Sequence, residues 1–314
     1  MKSGRRHDDA LSGSGGARYL CRGARAIFLA QRMTVRAREL PAQQSSMPHL
    51  TINGVSFHYE DTGGADPALV FSHGLLMSSR MFAAQVAAFK GRFRCITYDH
   101  RGQGQSSDPG GRAHDMDTCY RDAVAVIEGL DARPCHFVGL SMGGFIGMRL
   151  AARRPDLLYS ISLLETSAEP EPAENVPKYN RLAMVAGLFG TRWVVDRVMP
   201  MLFGRTFLTD PAMAQARASW HAEIASRPRT IVRAVRGVVE REGVMEEITS
   251  IRVPTLVVVG EEDTATPPPK ARRIHEHIPG SRLARIAAAG HSCTVEQPAE
   301  VTQVLSDFFS TLPQ

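Results

Sequence analysis

The stretch Val138-Gly139-Leu140-Ser141-Met142-Gly143-Gly144 runs from the end of an apolar segment, through a serine fenced by glycines, into a helical pattern. A serine hydroxyl that stands clear of a sheet needs a tight strand-to-helix turn, and that turn holds the residue in a strained backbone conformation. Side chains two positions to either side would collide there, so Gly139 and Gly143 suit the turn. Gly144 lets the following helix pack close to the strand. We therefore interpret Ser141 as a nucleophile.

The residues on both sides of this stretch predict the secondary structure that such a turn requires. Residues 135–138 are apolar and short enough for a buried strand, and residues 145–154 have helical spacing that Pro155 ends. A lone G-x-S-x-G motif is weak evidence, because glycine and serine are common in ordinary loops. A strand before it and a helix after it favour the nucleophile over an ordinary turn.

The composition predicts an ordinary soluble globular protein. The chain has 314 residues, of which 43% are hydrophobic and 22% charged, so it can bury a large core. No apolar run reaches the roughly 20 residues that cross a bilayer, which argues against an integral membrane protein. The five cysteines are widely spaced without a C-x-x-C pair. We interpret them as reduced thiols of a cytoplasmic protein, and Cys293 as a packing residue.

The net charge of +5 is concentrated at the start of the chain. Of the 37 Lys and Arg and the 32 Asp and Glu, residues 1–46 hold 9 and 3, which leaves 28 and 29 for the rest, a net of −1. The main body therefore offers no electrostatic case for a nucleic-acid partner. Residues 1–46 have little periodicity and are predicted to be a disordered basic extension. We expect the functional protein to begin near Met47.

Along the rest of the chain, apolar segments alternate with helical patterns. Asn53-Gly54 predicts a hairpin. The strands predicted after it are 68–72, 94–98, 135–138, 160–164, 255–259 and 282–286, and the helices are 81–89, 117–130, 145–154, 270–277 and 298–312. Strands separated by helices predict βαβ units and a mostly parallel sheet.

Residues 168–250 break this alternation, because they show helical patterns without strands. An all-helical insert between two strands of a sheet is best interpreted as a cap. The predicted organisation is a core in two parts, 47–167 and 251–314, with a helical cap at 168–250. The cap is rich in large apolar residues, among them Trp193 and Trp220. These residues either line a pocket or form the cap's own core.

A serine nucleophile needs a histidine base, and the histidine needs a carboxylate that fixes its tautomer. Asp263 lies on the loop after the predicted strand 255–259, and His291 follows the last predicted strand, 282–286. We therefore predict the triad Ser141, Asp263 and His291. The other candidates for the acid are Glu165, Glu261 and Glu262.

Together these motifs resemble the α/β-hydrolase superfamily over essentially residues 48–312. The matching motifs are His73-Gly74, Asp99-x-Arg101-Gly102-x-Gly104-x-Ser106, Gly139-x-Ser141-x-Gly143-Gly144, Gly260-x-x-Asp263 with Pro267, and Gly290-His291. Within the superfamily, the set is similar to the esterase branch that includes 3-oxoadipate enol-lactonases and cofactor-free haloperoxidases. The resemblance implies an α/β-hydrolase fold with a helical cap between two core strands. Epoxide hydrolases and haloalkane dehalogenases attack with aspartate, so serine at 141 argues against both.

The expected oxyanion hole consists of two backbone N–H groups. The residue after the nucleophile, Met142, supplies one of them, and the His73-Gly74-x pattern places the other at Leu75. Asp99 and Arg101 are interpreted as residues that hold a turn. No metal or organic cofactor is implied.

The predicted activity is hydrolysis of a carboxylic ester or lactone of a small, largely apolar substrate through an acyl-enzyme. The same residues leave three alternatives: a carbon–carbon bond hydrolase acting on ring-cleavage products, a cofactor-free haloperoxidase or perhydrolase, and a ligand-binding protein without useful turnover. A lactone that carries a carboxylate would need a cationic anchor, for which Arg181 and Arg192 are candidates.

Overall fold

The central sheet is mostly parallel, as the sequence predicts. The computed structural model describes residues 48–64 and 67–312, so the predicted extension at 1–46 lies outside the described residues. The strands are β1 His49–Ile52, β2 Val55–Asp61, β3 Ala68–Ser72, β4 Arg94–Tyr98, β5 Cys135–Leu140, β6 Leu158–Leu164, β7 Thr255–Gly260 and β8 Arg282–Ile286. They lie in the order β1-β2-β4-β3-β5-β6-β7-β8. β2 pairs antiparallel with β1 and β4, and all other neighbours are parallel.

The strands form where the sequence has short apolar runs or tight turns. Every residue of β3, β5 and β7 is buried, as expected for strands covered on both faces. The β1–β2 hairpin turns through Asn53 and Gly54, with φ angles of 51° and 71°. Glycine and asparagine are the residues that tolerate this pair of positive angles, so the hairpin follows directly from the local sequence.

Eleven α-helices connect or cover these strands in the described part of the chain. They are α1 Ala83–Phe89, α2 Met116–Gly129, α3 Met142–Arg153, α4 Val176–Phe189, α5 Val195–Leu202, α6 Arg205–Thr209, α7 Ala214–Ala225, α8 Val232–Val239, α9 Pro268–His277, α10 Cys293–Glu296 and α11 Pro298–Ser310. Helix α3 begins three residues before its predicted start, because a single residue, Ser141, separates it from β5. Across residues 48–64 and 67–312, no helix has both the length and the apolar character that crossing a membrane requires.

Two hydrophobic clusters cover the two faces of the sheet. Alternate residues of one strand point to opposite faces, so Val70 joins one cluster and Phe71 the other. The first cluster contains residues of α2, α3 and α9. The second contains residues of α1 and α11 together with residues of the helices α4 to α7. The sheet is therefore the middle layer of three.

Between β6 and β7 the chain forms α4 to α8 and several short 3-10 turns, with no strand. We refer to residues 168–250 as the helical segment. By their contacts, the described residues form one compact unit that includes this segment. Its assignment as a cap, and the boundaries of the two core parts, remain predictions.

The turn at Ser141 depends on close backbone approach. Ser141 has φ 54° and ψ −109°, a conformation that non-glycine residues rarely adopt. A Cβ atom at Gly139 would lie 2.3 Å from the carbonyl oxygen of Gly143, and one at Gly143 would lie 2.0 Å from the carbonyl oxygen of Ser72. The close contact that Gly144 permits is with the Thr166 side chain, beyond the end of β6. Side chains at these glycines would force β5, α3 and β3 apart.

Gly139→Ala should therefore destabilise the protein by about 1–3 kcal/mol, the usual cost of overpacking a tight site. Gly91→Ala is the matched control, since Gly91 is exposed and no atom lies within 4 Å of the added Cβ. Urea unfolding measures both variants. Equal midpoints for Gly139→Ala and the wild type would show that the turn does not need this glycine.

Candidate active site

Ser141 lies at the carboxyl edge of the sheet, where β5 ends and α3 begins. Its N–H donates to the carbonyl oxygen of Leu164 at 2.8 Å, and its own carbonyl accepts from the Thr166 hydroxyl at 2.9 Å. These bonds tie the strained residue to the end of β6. Only 6% of Ser141 is exposed, so its hydroxyl is held in a site that is largely shielded from water.

The structure brings the three predicted triad residues together. His291 Nε2 lies 2.8 Å from Ser141 Oγ, and His291 Nδ1 lies 2.8 Å from Asp263 Oδ2. An ionised carboxylate only accepts hydrogen bonds, so Nδ1 carries the proton and Nε2 is free to accept from the serine hydroxyl. The residues follow β5, β7 and β8, and the carboxyl ends of parallel strands meet at one edge of the sheet.

Asp263 is held by several hydrogen bonds besides the one from His291. Its Oδ1 accepts from the N–H groups of Ala265 at 2.8 Å and Thr266 at 3.0 Å, and its Oδ2 accepts from the Thr266 hydroxyl at 2.7 Å. Burial alone would raise the pKa of Asp263. Its interaction with His291 and these hydrogen bonds outweigh burial, so the pKa lies well below the usual range. The carboxyl group is therefore ionised whenever the protein is folded near neutral pH.

The loop after β3 lies against the serine. A Cβ at Gly74 would lie 3.5 Å from the Cβ of Ser141. The N–H of Leu76 donates to the Gln103 side chain at 2.9 Å, whereas the N–H groups of Leu75 and Met142 have no acceptor within the described ranges. Met142 is the first residue of α3, where backbone N–H groups lack an intrahelical partner. These two donors are the ones that the sequence predicts for an oxyanion hole.

Buried polar residues hold that loop in place. His73 Nε2 accepts a hydrogen bond from the backbone N–H of His100 at 3.0 Å, and His73 Nδ1 donates one to the carbonyl oxygen of Gly74 at 2.7 Å. Burial lowers the pKa of His73 to about 3, so the ring is neutral, as these two bonds require. Asp99 accepts from the N–H groups of Ser79 and Gln105, each at 2.8 Å. The hydrogen bonds of His73 and Asp99 therefore hold backbone groups of these loops in place.

A cavity of about 140 Å³ opens onto Ser141 and His291. Most of its lining is aliphatic and comes from the loop after β3 and from the helical segment. Trp193 is 61% exposed and Trp220 is buried, and neither lines the cavity. The suggestion that these two tryptophans line a pocket is therefore wrong, although other apolar residues of the helical segment do line the cavity.

The cationic anchors considered from the sequence are also misplaced. Arg181 and Arg192 are both exposed, and neither contributes to the cavity. The arginine that does line the cavity is Arg241, the second residue after the end of α8. Sequence reasoning missed it because its position depends on how the helical segment folds back over the sheet.

A family model described as the Alpha/beta hydrolase family matches residues 69–304. The chain belongs to the alpha/beta hydrolase family. Two solved structures and one curated relative illustrate the similarity. The 3-oxoadipate enol-lactonase 1 of Acinetobacter baylyi is 28% identical over 253 residues, which cover 78% of this chain and 90% of the relative.

The solved enol-lactonase from Burkholderia xenovorans LB400 superposes with a TM-score of 0.78 at 28% identity, covering 84% of this chain and all of that one. A thermophilic esterase from Thermogutta terrifontis superposes with a TM-score of 0.75 at 28% identity, covering 82% and 93%. The predicted fold class is thereby confirmed, and membership of the family supports hydrolase activity.

In this alpha/beta hydrolase, Glu165 lies beside Asp263. It is fully buried after β6, and both of its carboxyl oxygens accept from the N–H of Gly260, at 2.7 and 2.9 Å. Burial, followed by the nearby charge of Asp263, raises the pKa of Glu165 well above its usual value. A protonated Glu165 can donate its hydrogen bond to the Asp263 carboxylate. His291 bonds to Asp263, not to Glu165.

Two further glutamates connect the helical segment to the loops that carry Asp263 and His291. Glu296 accepts from the N–H groups of Gly204, Gly290 and Ser292 at 2.8 to 2.9 Å, which holds the backbone on both sides of His291. Glu262 accepts from the N–H and hydroxyl of Thr206, both at 2.7 Å. The sequence gives no sign of the Glu296 contacts, because their donors are backbone groups that every residue carries.

Cys293, two residues after His291, is fully buried. Burial raises the pKa of its thiol well above the usual value, so it is not ionised near neutral pH. This agrees with a packing role. In the described part of the chain, no cluster of three or more His, Cys, Asp or Glu side chains is arranged to hold a metal ion.

Glu165→Gln should make the stability of the protein less dependent on pH. Because the pKa of Glu165 in the folded protein lies above its usual value, the wild type loses stability as pH rises from that usual value through the folded-state pKa. The gain in melting temperature of the variant over the wild type should therefore be larger at about pH 8 than at about pH 5. Glu276→Gln, at an exposed site, is the control. The same difference at both pH values would contradict a protonated Glu165.

Glu296→Gln should lower the free energy of unfolding by about 1–3 kcal/mol, because an amide nitrogen then faces backbone N–H donors that are left unsatisfied. Chemical denaturation of the variant, beside the exposed control Glu300→Gln, measures the change. A loss no greater than that of the control would mean that the three bonds to Glu296 do not hold the His291 loop.

Proposed function

We propose that this alpha/beta hydrolase is a serine hydrolase that cleaves carboxylic ester or lactone bonds of small, largely apolar substrates through an acyl-enzyme. The observation that carries the proposal is the chain of two 2.8 Å contacts from Ser141 through His291 to Asp263. This chain opens into an apolar cavity. It has the geometry that activates a serine hydroxyl by proton transfer to a neutral imidazole.

The first half of the reaction forms the acyl-enzyme. As Ser141 Oγ attacks the carbonyl carbon, its proton passes to His291 Nε2, and the carbonyl oxygen becomes an oxyanion. Asp263, which is ionised, stabilises the imidazolium across the 2.8 Å bond to Nδ1. The imidazolium then gives its proton to the leaving alcohol as the carbon–oxygen bond breaks. In a lactone, that alcohol stays attached to the acyl group.

The second half returns the enzyme to its starting state. His291 takes a proton from water, the resulting hydroxide attacks the acyl carbon, and the proton returns to Ser141 as the acid leaves. In both halves the oxyanion is assigned to the N–H groups of Leu75 and Met142. Donors of this kind contribute on the order of 3 kcal/mol each to transition-state stabilisation.

The size and polarity of the cavity support a small substrate. A volume of about 140 Å³ with mostly aliphatic lining favours a short apolar acyl or alcohol group. The relative from Acinetobacter baylyi is named an enol-lactonase, and the solved structure from Thermogutta terrifontis is described as an esterase. Both activities pass through attack on an acyl carbon, which supports the same reaction class here.

Ser141→Ala and His291→Ala should each lower kcat for p-nitrophenyl butanoate by at least about 10⁴-fold, since each removes a group on which proton transfer depends. His221→Ala is the matched control. His221 also pairs with an aspartate, Asp196, at 2.9 Å, but this pair is on the surface. Steady-state kinetics measures the effect, and circular dichroism checks that each variant is folded.

A serine-directed phosphonate tests the same proposal without turnover. Stoichiometric labelling of Ser141, seen by mass spectrometry and absent in Ser141→Ala, is the expected result. Comparable ester hydrolysis by wild type and Ser141→Ala would overturn the serine mechanism. Failure of the wild type both to label and to turn over esters would favour a ligand-binding protein.

A further inference from the structure

The lining of the cavity beside Ser141 is mostly aliphatic, and its charged residues other than His291 lie together in one corner. There Arg241, Glu171 and Tyr179 line it, and we refer to these three residues as the polar corner. The side chains of Arg241 and Glu171 are 2% and 9% exposed, and Nη1 of the arginine lies 2.9 Å from Glu171 Oε2. A buried ion pair is costly unless its remaining donors and acceptors find partners. The partners of these groups are therefore informative.

Arg241 keeps two donors without a protein partner. Its Nε donates to the carbonyl oxygen of Glu169 at 3.2 Å, and its Nη1 donates to Glu171 and to the carbonyl oxygen of Val238. A guanidinium carries further N–H groups on Nη2. Within residues 48–64 and 67–312, no acceptor forms a hydrogen bond with Nη2.

The other two members of the corner add a second donor. Glu171 accepts from Arg241 and, through Oε1, from the Asn175 side chain at 3.0 Å. The Tyr179 hydroxyl makes no hydrogen bond to the described part of the chain. Burial raises the pKa of Tyr179, so its hydroxyl keeps its proton and can donate. The corner therefore presents unsatisfied N–H and O–H donors to whatever occupies the cavity.

The polar corner and the serine belong to one cavity. The Arg241 guanidinium stacks on the ring of Phe145 at 4.3 Å, and the N–H of Phe145 donates to the carbonyl oxygen of Ser141. Because Ser141, Phe145 and Arg241 all line the cavity, a distal group of an acyl chain that is attached to Ser141 can reach the corner.

The charge of the corner decides what kind of acceptor fits. The positive charge of Arg241 is already balanced by Glu171, with which it shares the cavity wall. Lys270 interacts electrostatically with both Glu171 and Arg241 but does not line the cavity. A second carboxylate in the corner would therefore lie next to Glu171 without an unpaired cation among the lining residues, which is unfavourable. A neutral carbonyl oxygen accepts the same hydrogen bonds and adds no charge.

We propose that the polar corner binds a neutral oxygen acceptor, such as a keto or amide carbonyl, at a distal position of the acyl group of the substrate. The inference rests on the proposed serine hydrolase function. It deepens that function by naming the substrate class as esters or lactones of otherwise apolar acids that carry a distal, uncharged carbonyl.

Three p-nitrophenyl esters of equal size test the proposal. The 5-oxohexanoate, 5-methylhexanoate and hemiglutarate esters place a carbonyl, a methyl group or a carboxylate at the same position. The set is repeated with one more carbon, as 6-oxoheptanoate, 6-methylheptanoate and hemiadipate. At one of the two lengths, kcat/KM for the oxo ester should exceed that for the other two by about tenfold, as expected for a hydrogen bond from a charged donor.

Variants then assign the preference to the corner. Tyr179→Phe removes only the hydroxyl and should lower the oxo-to-methyl ratio of kcat/KM by about threefold or more. The double variant Arg241→Met with Glu171→Met removes the ion pair without leaving a lone charge, and should bring the ratio to about one. The controls are Tyr159→Phe, at an exposed tyrosine, and Arg153→Met with Glu247→Met, at an ion pair outside the cavity. Both should leave the ratio unchanged.

The outcomes separate the two proposals. An oxo-to-methyl ratio of one or less at both chain lengths, with the esters turned over, overturns this inference alone. A preference for the hemiglutarate or hemiadipate ester also overturns it, because the corner would then be an anion site. Absence of turnover for every ester, together with no phosphonate labelling of Ser141, overturns the serine hydrolase itself.

Discussion

The structure depends on a backbone constraint at Ser141. A residue with positive φ joins a buried strand directly to a helix, and this is possible only where three chain segments approach within van der Waals distance of each other. Gly139 and Gly143 allow that approach to the start of α3 and to the end of β3. The same approach places the loop after β3 against the serine. The strained turn and the two backbone donors beside it are therefore parts of one packing arrangement.

Three buried carboxyl groups lie near His291, and their different surroundings give them different properties. Asp263 faces the imidazole and several donors, which lowers its pKa despite burial. Glu165 faces Asp263, so burial and a like charge both raise its pKa. Glu296 accepts three backbone N–H groups and holds the chain on each side of His291. Identical chemical groups thus serve as charge partner, proton-bearing neighbour and structural support.

The helical segment 168–250 supports the loops of the candidate site and also lines the cavity. Gly204 and Thr206 attach it to the loops of His291 and Asp263 through Glu296 and Glu262. Its aliphatic side chains line most of the cavity, whereas Glu171, Tyr179 and Arg241 make one corner polar. The proposed ligand, apolar except for one acceptor, matches a mostly aliphatic cavity with an ion pair that keeps spare donors. Ser141, Asp263 and His291 thus come from a different part of the chain than most of the cavity lining.

The sequence by itself determined the order of strands and helices, the hairpin at Asn53-Gly54 and the positions of Ser141, Asp263 and His291 after strands of a parallel sheet. These features follow from local patterns, since periodicity, glycines and chain order are written along the chain. Only the tertiary structure decided which acid meets the histidine, that Glu296 holds its loop, and that Arg241 rather than Arg181 or Arg192 reaches the cavity. Those outcomes depend on contacts between residues far apart in the chain, often with backbone groups, and such contacts leave no pattern in a single sequence.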